Sequence, residues 1–192
     1  MSDIPLRTDD GLELAGLALR PSAGEPKAAI AMVHGFGEHA GRYGAMHRAF
    51  VDSGYAVGAA DLRGHGRSPG ARGHVDGWAD YRADAAAIVG LASSLAPGRP
   101  VFLFGHSMGG LIVLDYALHR PDGLAGVIAS GPALLQAGRR RPLKELAAVA
   151  LSRIVPRAST EVGIDPQGIS SEPEEVAAYL ADPLVHLSLI HI

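Results

Sequence analysis

Four short, continuously apolar runs constrain this chain more than anything else in it: "AAIAMV" (28–33), "YAVGAA" (55–60), "VFLF" (101–104) and "LAGVIA" (124–129). A strand wetted on one face alternates apolar and polar residues, whereas a strand covered on both faces reads as an unbroken apolar run. Helix-like stretches separate the runs. "RYGAMHRAFVDSG" joins the first two, with Gly54 placed as a C-terminal cap. "WADYRADAAAIVGLASSL" joins the next two and puts Trp78, Tyr81, Ala85, Ile88 and Leu95 on one stripe. "LIVLDYALHR" follows the third run and stops at Pro121. This alternation predicts an α/β fold, a mostly parallel sheet with right-handed crossovers and flanking helices. "LELAGLAL" (12–19) predicts an antiparallel strand ahead of them.

After Gly131-Pro132 the texture changes. "RPLKELAAVALSRIV" is amphipathic, with Leu143, Leu146, Ala147, Ala150, Leu151 and Ile154 sharing a face, and "SEPEEVAAYL" reads as a short capped helix. No strand-like run stands between Pro132 and Pro183. The expected division is a sheet core over 1–131 and a helical insertion over 132–186. A 192-residue chain with 47% apolar and 19% charged residues belongs to the globular class. Its net charge of −3, with Arg139-Arg140-Arg141 as a mere triplet, predicts no nucleic-acid partner. The absence of cysteine excludes a disulfide framework, a cysteine zinc site and a thiol nucleophile. "MSDIPLRTDDG" has no hydrophobic signal core, and no apolar run reaches membrane-spanning length, so a soluble, cytoplasmic protein is expected.

The chemistry concentrates in "VFLFGHSMGGLIVLDYAL" (101–118), where a buried strand runs into Gly105-His106-Ser107-Met108-Gly109 and a helix begins. A serine hydroxyl is a poor nucleophile until a base takes its proton, and a sharp strand-to-helix bend lifts it clear of the sheet. Such a bend needs small flanking residues, which Gly105 and Gly109 supply. The helix start offers unpaired N–H groups where negative charge develops, the Met108 N–H among them. The competing reading is a glycine-rich turn that merely packs a helix closely.

A second loop, "MVHGFGEHAGRY" (32–43), also follows a buried strand. An acyl-transfer site needs a second oxyanion donor, and the Phe36 N–H is the candidate. The same stretch admits a rival. Gly35 to Ala40 fits G-x-G-x-x-A after a strand, and Asp61 closes the next strand as in dinucleotide-binding folds. Against it stand the serine bend, which such folds do not require, and the bulky polar Glu38, His39 and Arg42. His34, His39, His65 and His74 show no ligand spacing, so no metal site is expected.

Together "HGFGEHAGRY", "DLRGHGRSPGARGHV" and "GHSMGG" resemble the monoacylglycerol lipase and lysophospholipase group of α/β-hydrolases, over Thr8 to His186. The resemblance implies an α/β-hydrolase fold and a serine ester hydrolase with Ser107 as nucleophile. It implies Phe36 and Met108 as backbone oxyanion donors, and no cofactor. It also implies that the segment after Pro132 is a cap over an acyl channel, ending in "DPLVH" (182–186) and able to touch a lipid surface. The implied partner is a small lipid ester. Asp61, Arg63, His65 and Ser68 match a family loop that reads from the residues as a hydrogen-bonded turn.

The rest of a triad is not legible. Asp115 and His119 lie on the helix that leaves the serine, His106 adjoins it at the bend, and His47 with Asp52 sits on a helix. The family places acid and histidine on strands beyond the cap, so both are expected to be absent from this chain. The last strands would then be missing, with an open sheet edge prone to aggregation. "LSLIHI" (187–192) departs from the family pattern and is expected to be a non-native, adapter-derived tail. The chain as given is expected to be an inactive fragment keeping only residual catalysis.

Overall fold

The computed structural model describes residues 2–120, 122–134, 160–161, 168–186 and 188–189. Six strands form one sheet: β1 (Ser2–Arg7), β2 (Glu13–Leu19), β3 (Ala29–Val33), β4 (Ala56–Ala60), β5 (Val101–His106) and β6 (Gly126–Ser130). Their order is β1-β2-β4-β3-β5-β6. All four apolar runs are strands, and β4, β3, β5 and β6 pair parallel. β2 joins antiparallel to β4, as its alternation implies.

Strand β1 is an addition to the sequence reading, which took the first residues as polar chain. It pairs antiparallel with β2 at the sheet edge. Ile4 and Leu6 are half-buried while Pro5 and Arg7 face solvent. An edge position is where proline, which cannot donate to a ladder, is tolerated.

Both faces are covered over β3, β4 and β5, which is why those runs lack polar alternation. The fourth run departs from this reading: β6 lies at the sheet edge, has no fully buried residue and exposes Ile128, because no further strand among the described residues flanks it. Ala29, Ala31 and Val33 pack with Ile88 and Ile112 in one cluster, and Ile30 and Met32 pack with Phe50 and Val51 in the other. The first cluster belongs to helices α2 (Trp78–Leu95) and α3 (Met108–His119), the second to α1 (Gly44–Asp52). Burying a side chain such as Ile88 contributes about 2–3 kcal/mol. Helix α1 ends in the double hydrogen bond of a Schellman motif, Gly54 N–H to Val51 O at 2.9 Å and Tyr55 N–H to Phe50 O at 3.0 Å. Gly54 takes φ 88° there, the conformation its capping role needs.

Beyond β6, helix α4 (Pro173–Ala181) stands where a short helix was expected, but its start is set by Pro173 rather than by a side-chain cap, since the Glu172 side chain makes no capping hydrogen bond. The amphipathic stretch from Leu143 to Ile154, Arg139 to Arg141, and Pro121 lie outside the described residues. One reading needs correction: Thr160–Glu161 (β7) pairs antiparallel with Ser188–Leu189 (β8), so a short strand does stand between Pro132 and Pro183. A two-residue ladder leaves no apolar run to read. No helix among the described residues is long and apolar enough to cross a membrane.

Candidate active site

The carboxyl ends of β3, β5 and β6 lie side by side, where parallel sheets place ligands. Strand β5 ends at the exposed His106, and Ser107 follows with φ 54° and ψ −117°. It is the one non-glycine residue with positive φ among those described. Such strain costs about 1–3 kcal/mol and persists only where the surroundings impose it. Here the Ser107 N–H donates to Ser130 O (2.9 Å), and the Ser107 carbonyl accepts from Leu111 and Ala133 (both 3.2 Å).

The flanking glycines are steric necessities. A Cβ on Gly105 would strike the Gly109 carbonyl, and one on Gly109 would strike the carbonyl oxygens of Val33 and His34. Helix α3 therefore starts against β3 with no room between them. Ser107 is half-buried, and Met108 is buried as the first residue of α3. An N–H in that first turn precedes the first intrahelical acceptor.

The facing wall is the loop after β3, held from several directions. His34 is buried; its Nδ1 meets Gly35 O (2.7 Å) and its Nε2 accepts the Leu62 N–H (2.8 Å). An acceptor Nε2 carries no proton, so the ring is the neutral Nδ1–H tautomer. Burial likewise pushes its pKa down. Glu38 Oε1 accepts from the Gly35 N–H (2.7 Å) and the Tyr43 hydroxyl (2.5 Å). Burial, with the Glu38 charge beside it, pushes the Tyr43 hydroxyl pKa well up, so it stays a donor. Gly35 sits so close to the serine that a Cβ on it would lie 3.4 Å from Ser107 Cβ.

The second family-like loop is a hydrogen-bonded turn, as its residues suggested. Asp61 accepts the Ala40 and Arg67 N–H groups (both 2.9 Å), and Ser68 Oγ links Asp61 O (2.5 Å) to the Ala15 N–H (2.9 Å). Arg63 meets buried Asp84 through Nε (2.9 Å), Nη2 (2.7 Å) and its backbone N–H (3.0 Å). These bonds also separate the site from a dinucleotide-binding one. Asp61 is buried and occupied by backbone donors, and Gly35 to Ala40 lead into a 3-10 turn (Ala40–Tyr43) rather than opening a helix.

Between the two walls lies a cavity of about 660 Å³ lined by Ser107, Phe36, His106, Phe104, Ile169 and Tyr179 among others. The structure thus brings Ser107 and Phe36 to one cavity, with Met108 directly after the serine. Other candidates go elsewhere. His106 Nδ1 lies 3.2 Å from Ser130 Oγ. His119 is exposed beside Asp115, which pairs with Arg82 at 2.9 Å. His186 packs its ring against Phe36 (5.6 Å) and His65 (4.9 Å). Among the described residues, no ring nitrogen or carboxylate is hydrogen-bonded to Ser107 Oγ, and no group of three metal-ligating side chains could hold an ion. Sequence reasoning missed Glu38 as a fastener of the loop; nothing in "GFGEHAGRY" marks that side chain as turned back on its own backbone.

A strained serine between strand and helix, over the carboxyl ends of a mostly parallel sheet flanked by helices, defines the α/β-hydrolase class. The chain belongs to the family described as serine aminopeptidase, S33, whose model matches residues 24–191. It is 38% identical over 162 residues to a monoacylglycerol lipase of Mycolicibacterium smegmatis, covering 84% of this chain and 58% of that protein. It is 37% identical over 185 residues to human monoglyceride lipase, covering 95% and 60%. The crystal structure of a Paleococcus ferrophilus monoacylglycerol lipase superposes with a TM-score of 0.80 at 39% identity, over 93% of this chain and 66% of that one. The chain thus spans about three fifths of the length of these curated relatives.

Proposed function

We propose that this chain carries the nucleophile of a serine ester hydrolase acting on monoacylglycerol or lysophospholipid-like acyl esters. Ser107 Oγ attacks the ester carbonyl carbon, and the Phe36 and Met108 N–H groups receive the oxyanion. Collapse expels the glycerol oxygen, which takes up a proton, and leaves an acyl-enzyme on Ser107. Water then attacks the acyl carbon and releases the fatty acid. The base and acid come from a segment equivalent to the part of the relatives that this chain does not span; without it only residual catalysis is expected. The reaction calls for no cofactor.

The observation that carries this reading is the φ of 54° at Ser107, a strained conformation that a packing turn would have no use for. The relatives' lipase names favour a lipid ester. Residues 1–131 are read as core and 132–186 as a cap able to touch a lipid surface from the cytoplasm.

The test extends the chain through the segment its relatives carry. An alkyl fluorophosphonate should label Ser107 in this extended protein, monoacylglycerol should be hydrolysed, and Ser107→Ala should abolish both. Failure to label, with thermal stabilisation by a dinucleotide instead, would overturn the reading.

A further inference from the structure

The loop that carries Phe36 is fastened by a segment far away in the chain. The His186 N–H donates to the Gly37 carbonyl at 2.8 Å. His39 Nε2 meets Asp182 Oδ2 at 2.8 Å, with both side chains largely buried. The His186 ring packs edge-on against the Phe36 ring, and the Arg42 guanidinium lies 4.7 Å from the Tyr179 ring centre.

Asp182 organises its side of these contacts. Its Oδ1 accepts the Leu184 N–H (2.9 Å) and its carbonyl accepts the Val185 N–H (3.2 Å). This turn is what aims the His186 N–H at Gly37. Opposite, Gly37 has φ 72°, and a Cβ there would strike the His186 carbonyl, so the two segments meet backbone to backbone. Phe36 is therefore flanked by two fixed groups, the Gly35 N–H on Glu38 and the Gly37 carbonyl on His186.

We infer that residues 182–186 form a strap that positions the Phe36 N–H, with His39 and Asp182 as positioning residues for the oxyanion donor. This rests on the function proposed above. An oxyanion donor contributes through preorganisation, and removing one costs about 10²–10³ in rate. Loosening a donor without removing it should cost less, about tenfold. Ground-state binding, made by other walls of the cavity, should barely change.

The test measures fluorophosphonate labelling of Ser107 in the extended protein, separating kinact from KI, for His39→Phe, Asp182→Ala, Asp182→Asn and the His39→Phe/Asp182→Ala double variant. The expected result is a roughly tenfold fall in kinact for His39→Phe and Asp182→Ala, with KI within about twofold. Asp182→Asn, which keeps the side-chain shape, one oxygen for the Leu184 N–H and an amide group facing His39, should stay within about threefold of the parent, and the double variant should be no slower than the worse single one. Thermal midpoints should agree within a few degrees. Unchanged kinact in both single variants overturns the strap. So does a fall in kinact accompanied by matching changes in KI and midpoint, which marks a structural role only, or a double variant that multiplies the two effects. A parent protein that takes no label at all overturns the strap and the proposed function together, whereas a labelled parent with unaffected variants overturns the strap alone.

Discussion

The serine bend at 105–110 and the glycine-rich loop at 34–43 face each other across one cavity, yet they are held in different ways. The bend is shaped by close backbone packing: Gly105 meets Gly109, Gly109 meets the Val33 and His34 carbonyls of the adjacent strand end, and Ser107 bonds to Ser130 and Ala133 at the end of the next strand. The loop is shaped by distant hydrogen bonds. His34 reaches Leu62, Ala40 reaches Asp61, and His39 and Gly37 reach Asp182 and His186. A bend made by sterics is rigid because the alternatives clash, whereas a loop made by distant bonds is as firm as the elements it borrows. Changes in the bend should thus destroy or strain it outright, and changes around the loop should act through graded loosening.

The largest effect should come from Ser107→Ala in the extended protein, with ester hydrolysis falling at least about 10³-fold in a steady-state assay at little change in stability. Gly109→Ala attacks the bend sterically. Its Cβ would meet two backbone oxygens that cannot yield, and urea denaturation should show a loss of about 3 kcal/mol or more.

His47 tests the helix behind the loop. Its ring is buried, stacks on Tyr43 at 6.4 Å, and among the described residues neither nitrogen has a hydrogen-bond partner. Burial, with Arg48 adding to it, lowers its pKa from 6.5 to about 4. The unfolded chain therefore binds the extra proton between those values. The His47 contribution is complete above pH 6.5 and is lost as pH falls toward 4, by up to about 3 kcal/mol. Denaturation midpoints against pH should slope through that window, and His47→Leu should flatten the slope.

His34→Leu should leave the buried Leu62 N–H without its acceptor and lower stability by about 1–3 kcal/mol, read by thermal unfolding. The smallest change should be a gain. Ser107→Gly removes the strained φ and should stabilise the chain by about 1 kcal/mol while abolishing labelling. A loss instead would mean that the bend is not strained, and the contrast between the two walls would fall.

Much of this architecture was legible in the residues. Unbroken apolar runs announced four strands, three of them covered on both faces, a helical stripe located α2, a helix-like stretch ending at Pro121 located α3, and Gly105-x-Ser107-x-Gly109 marked the bend, because each is a pattern among chain neighbours. Strand β1 escaped because its alternation over Ile4 and Leu6 is short and interrupted by Pro5. The fastening of the loop escaped for a deeper reason. The pairing of His39 with Asp182 leaves no periodicity, and neither residue differs by itself from any surface histidine or aspartate.

The sequence by itself determined the alternation of elements, the place of the serine and the small residues its bend requires, since those follow from local sterics and from burial that repeats at helix and strand periods. Only the tertiary structure decided that Ser107 and Phe36 share one cavity, that His34 is neutral, and that residues 182–186 hold the opposing wall. Those facts depend on which distant backbone groups meet once the sheet is assembled, and a hydrogen bond between remote residues writes nothing into the chain around either of them.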